Sequence, residues 1–234
     1  MHEHASARQT VEAMVRSGDL EGLLRAGEAL HGHLCPFLAL GVKAGQYAMT
    51  QLDRGGHGLE EVVAILEGHN CFADGIQVVT GCTLGNNGLI LKDLGKAAVT
   101  VARRADGGAV RLAVRADFRQ GLFARYPAAE PLFDKVMVKR QGTPEDRHRF
   151  QHLWAAVARR ELQTPLKEQF LIETLTIQVP QPTRSLSGAT CSRCGEGVTE
   201  HRLRVREGRP LCLACAGEEY GILTGQGMAC VNEP

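Results

Sequence analysis

No stretch of this sequence approaches about eighteen uninterrupted apolar residues, so no segment reads as a bilayer-spanning helix. The first thirty residues lack the basic start and apolar run of a secretory leader, and a cytoplasmic setting is expected. Neither sign of charge is in excess. Lys and Arg number 27 against 26 Asp and Glu, a formal charge of +1, so no global field draws the chain to nucleic acid or a membrane surface. Internal repeats and low-complexity tracts are also absent.

What remains is an ordinary globular composition: 234 residues, 44% hydrophobic and 23% charged, enough for one domain with a small added module. Eight cysteines in a reducing compartment point to metal or thiol chemistry rather than a disulfide frame.

Apolar spacing predicts helices over 7–17, 19–30 and 36–52. Pro36 suits a first helical position, and Gly41, Ala44, Gly45 and Ala48 put small residues at helical spacing, suited to close packing. Val62 to Glu67 is an apolar run of strand length, and 72–80 is expected to be helical. Ala97–Arg103 and Val110–Arg115 alternate about Asp106-Gly107-Gly108, a hairpin signal. Thr143-Pro144 opens another helix with a stripe of Phe150, Leu153, Trp154 and Val157, and Leu171–Val179 is a final strand. The expected fold class is α+β: an antiparallel sheet flanked by helices, plus a small C-terminal zinc ribbon. The expected boundaries are 1–182 for the main domain, 183–188 for a linker, 189–218 for the ribbon and 219–234 for an unstructured tail carrying Cys230.

Cys191-x2-Cys194 and Cys212-x2-Cys215 stand seventeen residues apart, a four-cysteine zinc spacing. Each close pair can present two sulfurs from one tight turn, and four thiolates close the coordination shell of a structural zinc ion. The hairpin between the pairs carries Arg202, Arg204, Arg206 and Arg209 but no aromatic residue on which bases could stack, so nucleic acid is not the expected partner.

A second concentration of ligand-type side chains is His31-Gly32-His33-Leu34-Cys35-Pro36. In an extended segment His31, His33 and Cys35 alternate and share one side. A thiol at a helix N-cap feels the positive end of the helix dipole, so Cys35 is expected to form thiolate readily. Cys71 lies just after the apolar strand, where side chains often enter a cleft. His33, Cys35 and Cys71 are the favoured ligands for a second metal ion of unknown identity, with His31 as a further candidate. If 72–80 is helical, Cys71 and Cys82 lie about 14 Å apart and cannot share a metal within one subunit. Lys92, Asp93 and Lys96 follow a Gly- and Asn-rich loop and are candidates to orient a charged ligand. His148 and His152 are spaced i, i+4, but the Glu of a metalloprotease helix is missing between them.

HGHLCP at 31–36, CFADGIQVVTGCTLGNNGLILKDLGK at 71–96 and the C-terminal CxxC pairs together resemble FmdE, a family named after a component of formylmethanofuran dehydrogenase. The resemblance implies an α+β domain, often dimeric, with an appended zinc ribbon in many members. It carries functional positions over to His31, His33, Cys35, Cys71, Asp74 and Cys82, with Cys35, Asp74 and Cys82 as candidates for chemistry and Asp74 as the residue that orients a histidine. Two positions depart from the family pattern: Phe37 replaces a usual Gly, and Asn86-Asn87 lacks a usual Lys. The expected function is an accessory or maturation subunit of a molybdenum or tungsten oxidoreductase in one-carbon metabolism. The expected partners are a second copy of the chain and other subunits of that enzyme. The alternatives are a stand-alone metal- or thiol-dependent enzyme on a small substrate, and a ribbon that docks or regulates.

Overall fold

The computed structural model describes residues 6–52, 61–181 and 187–232. It divides into two compact units, Met1–Pro180 and Gln181–Pro234. The linker expected at 183–188 lies outside the described residues except for its last two positions.

Local chemistry accounts for the helical start of the first unit. Helix α1 (Ala7–Ser17) opens on a capping box of Ser6 and Gln9 and stops at Gly18 in the left-handed region. Helix α2 (Leu20–His31) is capped by Asp19 and ends at Gly32, whose φ of 85° reverses the chain. Helix α3 (Pro36–Gln51) begins at once, with Cys35 as N-cap and Pro36 in its first turn.

Strand β1 (Val62–Leu66) then leads into helix α4 (Cys71–Thr80), capped by Asn70. The chain returns as β2 (Leu89–Leu91) and continues through β3 (Ala98–Arg103) and β4 (Gly108–Val114). Helices α5 (Phe118–Arg125) and α6 (Ala129–Phe133) follow, then a π-helical turn at Asp134–Val138. Helix α7 (Pro144–Glu161), short helix α8 (Leu166–Gln169) and strand β5 (Phe170–Thr176) complete the unit.

The five strands form one sheet in the order β2-β1-β3-β4-β5. Three neighbouring pairs are antiparallel, as the fold class expects. The edge pair β1–β2 is parallel, with Ala64 opposite Leu89 and Leu66 opposite Leu91. This corrects a purely antiparallel sheet: α4 is the crossover helix of a βαβ unit. Strand β2 has only three residues, too few for alternation to register. All five residues of β1 are buried, because both faces of this strand are covered.

Between α3 and α4 the backbones nearly touch. A Cβ added at Gly41 would stand 2.1 Å from the Phe72 carbonyl oxygen, and one at Gly75 would stand 2.6 Å from both the Leu38 oxygen and the Val42 nitrogen. Gly45 meets the side chain of Val79 in the same way. Residues 41 and 75, then 45 and 79, are matched in ascending order, so the two helices run in the same direction. The small residues at helical spacing in α3 are therefore a contact surface.

Elsewhere α3 carries a buried ammonium. Lys43 Nζ donates to the Glu161 carbonyl at 3.0 Å, the Thr164 carbonyl at 2.5 Å and Gln169 Oε1 at 2.5 Å. These acceptors tie α3 to the C-terminal end of α7 and to α8. Burial holds the Lys43 pKa down to about 8, against the opposing pull of Glu161.

The second unit contains hairpins β6–β7 (Gly188–Thr190, Gly197–Thr199) and β8–β9 (Arg204–Arg206, Arg209–Leu211), followed by a one-turn helix α9 (Leu213–Ala216). The β8–β9 turn places Glu207 and Gly208 at positive φ, the pairing expected of a two-residue hairpin loop. The region expected to be an unstructured tail is instead a third hairpin, β10–β11 (Tyr220–Thr224, Gly227–Val231), with Cys230 exposed on β11. Alternation in Tyr220–Thr224 and the Gln226-Gly227 turn were the available signals.

Gly75→Ala should lower unfolding free energy by about 2 kcal/mol or more, since every atom the new methyl meets is backbone and overpacking typically costs about 1–3 kcal/mol. Gly85→Ala, whose Cβ has only Thr83 Oγ1 at 3.9 Å, should fall within about 0.5 kcal/mol of wild type. Urea unfolding of the three proteins measures the difference; equal midpoints would show that the α3–α4 approach is not obligatory.

Candidate metal centres

Close packing of α3 on α4 brings their N-terminal ends together. Cys35 sits at the N-cap of α3 and Cys71 is the first residue of α4, with His31 as the last residue of α2. One ligand atom from each of these three lies within 4.8 Å of the other two. Thiolates bound tetrahedrally at roughly 2.3 Å stand about 3.8 Å apart. The cluster therefore needs only a small contraction to hold one ion, and its sulfur–imidazole donor set suits a transition metal.

The orientation of His31 is fixed by its neighbour. Nδ1 donates to Asp74 Oδ2 at 2.7 Å, and Asp74 Oδ1 accepts from Gln77 Nε2 at 3.0 Å. Because a carboxylate only accepts, the His31 proton resides on Nδ1. Nε2, 3.9 Å from Cys35 Sγ, then carries its lone pair toward the thiols. Asp74 is one helical turn along α4 from Cys71, so a single helix supplies both a sulfur and the group that aims the imidazole.

Histidine selection differs from the period-two expectation. Residues 31–35 are not extended throughout: His31 closes a helix, and Gly32 turns the chain left-handed before Cys35. The member of the cluster is consequently His31, while His33 is exposed with its ring centroid 4.4 Å from that of His31. A glycine directly after a helix-compatible histidine was the signal for this arrangement.

The two thiols also divide their roles differently from expectation. Cys35 accepts the N–H of Leu38 at 3.4 Å, as an N-cap should. Even so, its neighbour Cys71 and its own burial push the Cys35 pKa up. Cys71 is drawn down to about 6 by the hydrogen bond from Cys35, with further help from His31. Cys71 is thus the first of the pair to ionise, and Cys35 keeps its proton until a cation replaces it.

Cys82 stays outside this cluster. It follows the C-terminal end of α4, is buried in the core, and directs its thiol toward the Val62 carbonyl oxygen at 3.6 Å. Burial pushes its pKa up, which suits an inert packing thiol. The helical geometry that separates it from Cys71 is present, so a catalytic role for Cys82 has no support from the site's arrangement. Lys96 lies 3.9 Å from Glu67, and His69 Nδ1 is 3.5 Å from Asp93 Oδ1.

In the second unit Cys191, Cys194, Cys212 and Cys215 bring four sulfurs within 4.8 Å of one another. Gly195 and Gly217, both at positive φ, turn the chain after each pair. Backbone N–H groups of Cys194 and Cys212 draw the Cys191 thiol down to about 6, whereas Cys212 pushes Cys215 up to about 12. Four sulfurs this close cannot all be thiolates without a cation among them. Zinc meets that need and leaves no coordination position free.

Comparison with known proteins agrees with both centres. Residues 30–171 match the family described as "FmdE, Molybdenum formylmethanofuran dehydrogenase operon". Residues 184–221 match the prokaryotic dksA/traR C4-type zinc finger. A relative from Archaeoglobus fulgidus named "Probable S-adenosyl-L-methionine-binding protein" is 41% identical over 210 residues, which are 88% of this chain and 55% of that protein. The chain therefore spans about half the length of this relative. A crystal structure of an FmdE-like protein of tungsten formylmethanofuran dehydrogenase, from Syntrophus aciditrophicus, superposes with a TM-score of 0.53 over 85% of this chain and 92% of that one. At 19% identity this likeness concerns the fold.

Removing zinc with a strong chelator should unfold the small unit alone, because so little of it is buried and the metal supplies most of its folding free energy. Hydrogen exchange on the whole chain should show lost protection across 188–216 and retained protection in β1, β3 and β4. Protection that survives in 188–216 after complete zinc removal would contradict this.

Proposed function

This chain belongs to the FmdE family, and on that premise we propose that its first unit binds one transition-metal ion through His31, Cys35 and Cys71. We further propose that it serves as an accessory or maturation subunit of a molybdenum or tungsten oxidoreductase in one-carbon metabolism. The observation that carries the metal site is the convergence of three ligand atoms from three different helices, with Asp74 aiming the imidazole. The family description, which names a molybdenum enzyme's operon, supports the choice of partner.

Chemically, the two centres contrast. Four cysteines close the ribbon, which makes it a scaffold. Three protein ligands leave the first site with a position for an exogenous ligand, and an ion held there acts as a Lewis acid on whatever occupies it. This chain's own residues do the preparatory work. Cys71 offers the more acidic thiol, Cys35 releases its proton on ligation, and Asp74 keeps the His31 proton on the far nitrogen. Partial burial of the cluster among α2, α3 and α4 limits access by water.

The open position also supports a second reading, a stand-alone metal-dependent protein acting on a small molecule. The relative's name makes S-adenosyl-L-methionine the first compound to titrate. Under the leading reading the ribbon is the docking surface for partner subunits, and the first unit pairs with a second copy of the chain.

Anaerobically purified wild type is expected to hold one metal ion per chain beyond the ribbon zinc, and Cys35→Ser to lose it. Asp74→Asn should retain the fold but bind that metal about 10–100-fold more weakly, the usual consequence of removing a partner that orients a ligating histidine. Elemental analysis and competition with a chromophoric chelator give both values. Equal metal content in wild type and Cys35→Ser would reject the site.

A further inference from the structure

Helix α7 carries a pair of side chains that neither centre uses. His148 and His152 are one turn apart and exposed, and their Nε2 atoms lie 3.0 Å from each other, with ring centroids 4.3 Å apart. In the neutral pair one Nε2–H donates to the other Nε2. Replacing that shared proton with a cation needs almost no movement. Two metal–nitrogen bonds of roughly 2.0–2.1 Å at a right angle place the nitrogens about 2.9 Å apart, while a tetrahedral angle requires about 3.4 Å. The observed spacing matches adjacent positions of a square-planar or octahedral ion.

The position of this pair connects it with the first metal site. His148 and His152 line a depression of about 590 Å³ floored by Pro131, Leu132 and Leu153. His152 also lines a neighbouring cavity of about 310 Å³, shared with Glu28 and His33. His33 in turn packs its ring against His31, a member of the His31–Cys35–Cys71 cluster. Imidazoles thus mark the way from the surface of α7 to the buried thiols.

We propose that His148 and His152 form a further metal site, a two-imidazole surface chelate for Ni2+ or Cu2+, which takes up the ion that His33 then passes to His31, Cys35 and Cys71. The chelate itself is independent of the first unit's function; the uptake role rests on the metal reading proposed above. Binding exchanges one shared proton for the ion, and transfer involves no redox step.

The test uses Ni2+ and the full chain with its ribbon zinc in place. Equilibrium dialysis of wild type should give two Ni2+ ions per chain with different affinities. His148→Ala/His152→Ala, which changes only exposed positions of a helix, should lose the weaker ion and keep the tighter one. Cys71→Ser should lose the tighter ion and keep the weaker. Thiolate-to-nickel absorption follows filling of the cysteine site, and at limiting Ni2+ the double histidine variant should reach the wild-type end point at least tenfold more slowly. A double variant that binds as many ions as wild type overturns the chelate, and an unchanged filling rate overturns the uptake role. Absence of the tighter ion from wild type, with the weaker one retained, would instead overturn the cysteine site and leave the chelate standing.

Discussion

The first unit depends on the backbone contact between α3 and α4. Gly41 and Gly75 have no side chain to keep the helices apart, so a carbonyl of one helix rests against the Cα of the other. Because the helices run in the same direction, this contact also aligns their N-terminal ends. Cys35 and Cys71 are far apart in sequence, and it is this alignment that makes them neighbours. The helix termini add the positive ends of two dipoles to a site that must hold thiolates. Any residue larger than glycine at these positions would separate the sulfurs along with the helices.

Electrostatics then divides labour within a small space. A buried pair of thiols shares its protons unequally, with Cys71 acidic and Cys35 reluctant. Asp74 fixes the imidazole proton on the side away from the sulfurs. The result is a pocket that favours a cation while leaving room for a fourth ligand. The ribbon solves a different problem with the same residue type. Its four sulfurs substitute for the hydrophobic core that a module of its size cannot build, so its metal completes a fold.

Much of the fold could be read from local signals. The helix starts at Ser6, Cys35-Pro36 and Thr143-Pro144 and the stop at Gly18 follow from capping chemistry that acts within a few residues. The β3–β4 hairpin followed from alternation about Asp106-Gly107-Gly108. What escaped was short or non-local. β2 is too brief to alternate, and its parallel pairing with β1 depends on a crossover through α4. Helix α5 has no side-chain cap at Asp117 to announce it. The third hairpin of the small unit lay in a stretch whose sequence resembles a tail.

By itself the sequence determined which residue types were available for metal chemistry and how the ribbon cysteines pair, because that spacing is a local property of two tight turns. It also set the family, through HGHLCP and the segment from Cys71 to Lys96. Only the tertiary structure decided that His31 rather than His33 joins the thiols, that Cys82 is a core residue, and that Asp74 reaches the imidazole. The physical reason is the same in each case. Direction depends on where a helix ends and what packs against it, and a left-handed Gly32 together with a glycine-lined helix contact are arrangements of the folded chain as a whole.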